Sequence, residues 1–176
     1  MEEYLDILDE EGDSTGQTAP RSVAHSQGFW HRTVHIYFYR KKENNVELLV
    51  HLRSKTKDLN PGKWDTRFGG HLKAGETLEQ AVVNEVKEEV GLKLLASQLA
   101  LGPIFKRNNG ANCEFTHAYF YNYKGNLTDL HFNDGEVQEI KWMDINAILT
   151  SIQTNSEEWA PGLEKFKKIR AILLAL

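Results

Sequence analysis

The sequence predicts an α/β fold: a mixed β-sheet sandwiched between α-helices, with an N-terminal strand extension and a C-terminal helix. Two observations predict it. Runs such as RTVHIYFYRK (32–41) and NCEFTHAYFYNY (112–123) are rich in the β-branched and aromatic residues that strands favour. Between and after them, TLEQAVVNEVKEEVGL and the tail SEEWAPGLEKFKKIRAILLAL keep apolar residues at helical spacing. Strands and helices therefore interleave along the chain, which favours helices packed on both faces of one sheet.

In order, YLDILDEEGDSTG reads as a short alternating strand closed by an acidic, glycine-containing turn. Residues 14–29 are polar and read as irregular. The strand 32–41 follows, then KENN as a turn and VELLVHLRS (46–54) as the returning strand. KTKDLNPGKW is a basic loop punctuated by Pro61-Gly62. A helix begins at Thr77, which with Gln80 makes a capping box, and ends at Gly91. LGPIFKRN leads into the strand 112–123, and GEVQEIKWMDI (135–145) reads as a further strand ending at a helix start. In the tail, Leu163, Phe166, Ile169, Arg170 and Leu173 recur at helical spacing, mostly as an apolar face.

Composition narrows the class. A chain of 176 residues, 40% hydrophobic and 26% charged, has the make-up of an ordinary globular domain with a real core. Net charge of -4 provides no global field to recruit nucleic acid. The lone Cys113 excludes an internal disulfide framework and suits a reducing cytoplasm. No apolar run approaches the ~20 residues of a membrane span, and the acidic N-terminus is not a signal peptide. Oligomeric state stays open.

The helix 78–90 breaks two local rules. Glu85, Glu88 and Glu89 are neighbours on one side of it, where like charges repel by a few tenths of a kcal/mol. They also crowd its C-terminal end, which already carries partial negative charge. At about 100° per residue, Val82, Val83, Val86 and Val90 form the core-facing arc, and the three acids fall beside it, where a cleft would lie. A solvated acidic face is the ordinary explanation; a bound cation is the other.

The spacing favours the cation. GHLKAGETLEQAVVNEVKEEVGL (70–92) resembles the Nudix box, with Gly70, Glu76, Glu85, Val86, Glu88, Glu89, Gly91 and Leu92 in register. Asn84 stands where that family has arginine. The resemblance spans roughly residues 30–160 and implies the Nudix fold in a single domain, 1–176, with 1–29 as extension and 161–176 as C-terminal helix. It implies Glu85, Glu88 and Glu89 as metal ligands, Glu85 or a loop acid assisting the attacking water, and the Gly70 carbonyl as a further ligand. Glu76 would cap or tether the box. Asn84 can donate a hydrogen bond but no charge, leaving Lys87, Arg67 or Lys73 to stand in for the arginine. Carboxylate ligands select Mg²⁺ or Mn²⁺, which suits a small-molecule diphosphate substrate.

A closer likeness is to the branch containing type I isopentenyl diphosphate isomerase, carried by LDILDEEGDSTG, HSQGFWHRTVHI, RSKTKDLNPGKWD, GGHL and CEF. It implies that His25, His31, His71 and Glu114 hold a metal, with Glu114 also a catalytic candidate. Asn112 replaces a second strand glutamate, and Gly69 takes the place of the catalytic cysteine. Isomerisation needs proton-transferring groups on both sides of the substrate. Glycine cannot be one, and Cys113 points to the opposite strand face from Glu114. The sequence thus favours metal-dependent hydrolysis of an organic diphosphate. Isomerisation and non-catalytic diphosphate binding are the alternatives. Arg53, Lys57, Lys63 and Lys73 are candidates for holding substrate phosphate. His35, His51, His117 and His131 read as ordinary histidines, and Glu136 and Glu139 as strand-edge charge.

Overall fold

The computed structural model describes residues 2–43, 45–56, 59–110, 112–132 and 135–176. Two strands, β1 (Tyr4–Leu8) and β2 (Ser14–Pro20), form an N-terminal hairpin, followed by the short helix α1 (Arg21–Gln27). The second sheet contains β3 (His31–Lys42), β4 (Asn45–Arg53), β5 (Trp64–Asp65), β6 (Ala100–Asn108), β7 (Cys113–Asn122) and β8 (Val137–Asp144). Its order is β5-β4-β3-β7-β6, with β8 also on β4; among the described residues the β3–β7 strand pair is parallel and the other strand pairs are antiparallel. The sheet is mixed, as expected.

Three helices cover its two faces. From α2 (Leu78–Val90), Val82, Val86 and Val90 pack against Val34, Ile36 and Phe38 of β3. On the other face, α3 (Ile145–Thr154) and α4 (Leu163–Ala175) bring Ile148, Ile152, Phe166 and Ile169 against Tyr37, Val50 and Phe120. Each such buried side chain contributes about 1.5–3 kcal/mol. β3 is buried on both faces, which explains its nearly unbroken apolar run. The Thr77–Gln80 capping box and the left-handed Gly91 terminate α2 as its sequence indicates.

Residues 14–29 are a correction: they form β2 and α1, not an irregular segment. β2 is exposed along most of its length and is held by β1 rather than by a hydrophobic face of its own. In α1 only Ala24 is buried, so no apolar period marks it. The extension docks on the box: the Ala74 amide donates to the Tyr4 carbonyl (2.7 Å) and the Gly75 amide to Asp6 Oδ2 (3.0 Å). Among the described residues no helix is long and apolar enough to cross a membrane.

Candidate active site

The first half of β3 lies between β7 and the strand-like segment 68–71. Parallel pairing sets His31 opposite Glu114 and Thr33 opposite Thr116, while Thr33 also bridges to His71. Three adjacent strands thus aim His31, Glu114 and His71 at one point, and the last turn of α1 adds His25 from above. One ligand atom from each of the four lies within 4.8 Å of the others. His25 Nε2 and His71 Nε2 are 3.1 Å apart.

The protonation pattern of this cluster fits a cation. The Nδ1–H of His31 donates to the Phe29 carbonyl (2.8 Å), which leaves a lone pair on Nε2. Among the described residues that Nε2 is buried without a hydrogen-bond partner, an expensive arrangement unless a donor or a cation takes up its lone pair. Burial, reinforced by neighbouring positive charge, depresses all three imidazoles, His71 to about 3, so they stay neutral and ligand-competent. The four residues can coordinate a divalent metal.

The helix acids lie next to this cluster. Glu85 is buried, and its carboxylate sits so close to Gly70 that a Cβ there would approach its oxygens to 2.6 and 2.7 Å. Desolvation first, then Glu89 and Glu88, push the Glu85 carboxyl up to about 8. Glu89 Oε2 accepts the Gly69 amide at 2.6 Å, and Glu88 pairs with Lys73 at 3.5 Å. The Gly70 carbonyl accepts the Val34 amide (2.9 Å). Asn84 does not reach a helix glutamate of the cluster; its amide donates to Glu76 Oε1 (2.7 Å), whose other oxygen accepts the Lys73 amide (3.0 Å). Lys73 is therefore the cation nearest the role of the absent arginine, whereas Lys87 is exposed and Arg67 turns to Asp65.

One cleft joins the two groups. Arg53, Gly69, Gly70, His71, Glu89 and Glu136 line both its inner and its outer part. The inner part adds Glu114, His35, Arg67 and Arg107; the outer adds Glu85, Glu88, Glu3 and Arg21. Of the basic candidates, Arg53 lines the cleft and Lys73 borders it through Glu88, while Lys63 is not among the lining residues. Lys57 lies outside the described residues. Glu136, His35 and His51 read as ordinary from sequence, yet all three line the cleft. No local motif marks Arg21, Asp65 or Arg107, which also line it.

Gly69 bears on the isomerase likeness. Its φ is +135°, and a Cβ there would lie 2.0 Å from the Val34 carbonyl oxygen. The backbone is shaped for glycine, so a side-chain thiol has no room without a strand shift.

A mixed sheet between helices, with carboxylates on one helix and an imidazole–carboxylate cluster opening on a common cleft, makes this a site able to hold a divalent metal. The chain belongs to the NUDIX domain family, whose model matches residues 29–166. It is 41% identical over 93 residues to Nudix hydrolase 3 of Arabidopsis thaliana, covering 53% of this chain but only 12% of that protein. An isopentenyl-diphosphate Delta-isomerase of Aliivibrio fischeri is 27% identical over 172 residues, 94% of each chain. A crystal structure of a Deinococcus radiodurans protein superposes with a TM-score of 0.71 at 23% identity, over 94% of this chain and 98% of that one, a likeness of fold.

Proposed function

We propose that this chain is a Mg²⁺- or Mn²⁺-dependent hydrolase that cleaves the diphosphate linkage of a small organic diphosphate. The observation that carries the reading is the cleft, whose outer part is lined by Glu85, Glu88 and Glu89 with His71, and whose inner part is lined by Glu89 and His71 with Glu114. Divalent ions in such a site supply charge neutralisation on the phosphates and an activated water. The all-oxygen set of Glu85, Glu88, Glu89 and the Gly70 carbonyl suits Mg²⁺ or Mn²⁺, whereas three imidazoles with Glu114 suit a first-row transition-metal ion, Mn²⁺ among them, better than Mg²⁺.

The chain's own residues do the rest. Glu88 and Glu89 hold charge at the cleft rim, and the Gly69 amide fixes the Glu89 carboxylate. Glu85, buried against Gly70 at the cleft, is the group proposed to take a proton from water. Arg53, which lines both parts of the cleft, would grip an outer phosphate. Glu114 adds its carboxylate to the imidazole cluster from β7.

The test is a panel of nucleoside di- and triphosphates, nucleotide sugars, coenzyme derivatives and prenyl diphosphates, each with Mg²⁺ and Mn²⁺. Glu88→Gln and Glu89→Gln should nearly abolish turnover; unchanged turnover in both rules the reading out. The near full-length match to an isomerase keeps isomerisation as the second reading. The glycine-only backbone at position 69 counts against it, and conversion of isopentenyl diphosphate to its allylic isomer would establish it.

A further inference from the structure

The wall of the cleft around Arg53 is built from two paired strands. β4 sets His51 opposite Asp65 of β5 and Leu52 opposite Trp64. Arg53 and His51 are two residues apart on β4 and share a face, so Arg53 and Asp65 are diagonal neighbours on it. Both line the inner part of the cleft.

Asp65 is 2% exposed, yet three groups converge on its carboxylate. Oδ1 accepts the Thr66 amide (2.7 Å) and faces Arg67 Nη1 (3.4 Å), while Oδ2 faces Arg53 Nη1 (3.7 Å). Arg67 is fixed in turn, because its Nε donates to His35 Nε2 at 3.1 Å. Burial, reinforced by the charge of Arg67, keeps that imidazole neutral and able to accept. The other edge of the Arg53 guanidinium is held by a loop: Nε and Nη2 both donate to the Leu59 carbonyl (3.1 and 2.9 Å). Contacts at both ends fix the plane of a group whose rigid fork of donors matches phosphate oxygens.

A buried carboxylate is a poor way to strengthen a sheet edge. An ion pair out of water seldom outperforms apolar packing of similar volume, and β5 is only two residues long. At the cleft wall the same arrangement has a use. It removes in advance the rotamer freedom that Arg53 would otherwise lose on gripping a phosphate.

We propose that Asp65 is a positioning residue: backed by Arg67 and His35, it holds Arg53 in the orientation that grips the outer phosphate. It acts through Arg53 and needs no contact with substrate. The role rests on the diphosphate reading and deepens it.

The experiment titrates the full chain, in Mg²⁺, with methylene diphosphonate, a diphosphate analogue that hydrolysis cannot consume, followed by calorimetry. Asp65→Asn should weaken binding about 10-fold, and Arg53→Met at least as much. The double variant should bind no more weakly than Arg53→Met alone, since Asp65 has no route to the phosphate once Arg53 is gone. A merely structural role would multiply the two losses. If Asp65→Asn fails to fold, Asp65→Asn/Arg67→Met removes the buried pair together and should show the same loss. Unchanged affinity in a folded variant lacking Asp65, or losses that multiply in the double variant, overturn the positioning role. No uptake of the analogue by the wild type overturns the grip of Arg53 and this role with it. The expected losses in a chain that hydrolyses no diphosphate defeat the hydrolase reading and leave the role of Asp65 standing. Intact hydrolysis with unchanged affinity in Asp65→Asn defeats only the positioning role.

Discussion

Replacing Glu85 by glutamine should stabilise the metal-free protein while destroying its activity. The buried carboxyl titrates at about 8 instead of its ordinary 4.5. Between those values the folded chain holds a proton that the unfolded chain releases, so stability falls as pH rises through that window. The full shift, about 3.5 units, corresponds to a ceiling of about 5 kcal/mol, of which about 4 kcal/mol is felt by pH 7.5 and under 1 kcal/mol at pH 5. Water entry and side-chain relaxation reduce this, leaving about 1–3 kcal/mol. At about 2–4 °C per kcal/mol for a chain of this size, Glu85→Gln should melt several degrees above wild type in EDTA at pH 7.5. At pH 5 the two should nearly coincide. Added Mg²⁺ should raise the wild-type Tm and close the gap, because a ligand bound only by the folded state stabilises it. Equal melting at pH 7.5, or the same offset at both pH values, refutes the claim that these acids are in electrostatic conflict.

Other perturbations follow from the same geometry. Gly69→Cys should destabilise the fold by about 2–4 kcal/mol, since it combines left-handed strain with a clash on the Val34 carbonyl; a variant with wild-type Tm, checked by calorimetry, contradicts the glycine-only backbone. His31→Ala and His71→Ala should each weaken Mn²⁺ binding at least tenfold by titration, while leaving Mg²⁺ binding at the helix acids within about threefold. Because burial keeps the three imidazoles neutral below the usual histidine range, Mn²⁺ affinity should fall less than about threefold from pH 7 to 6; three ordinary histidines would lose about 30-fold. Asn84→Ala should cost about 1 kcal/mol by denaturant titration, through loss of its bond to Glu76, and an unchanged midpoint speaks against that tie.

The legible parts of the molecule share a physical cause: their information is local. The α2 box could be read because capping, apolar arc and acid spacing all repeat with one helical period. β3 could be read because burial on both faces forces an apolar run. β2 and α1 were illegible for the opposite reason: β2 borrows its order from β1, and α1 buries only Ala24. His25, His31, His71 and Glu114 reached the sequence reading through resemblance alone. Nothing in their spacing shows that parallel β3–β7 pairing sets His31 beside Glu114.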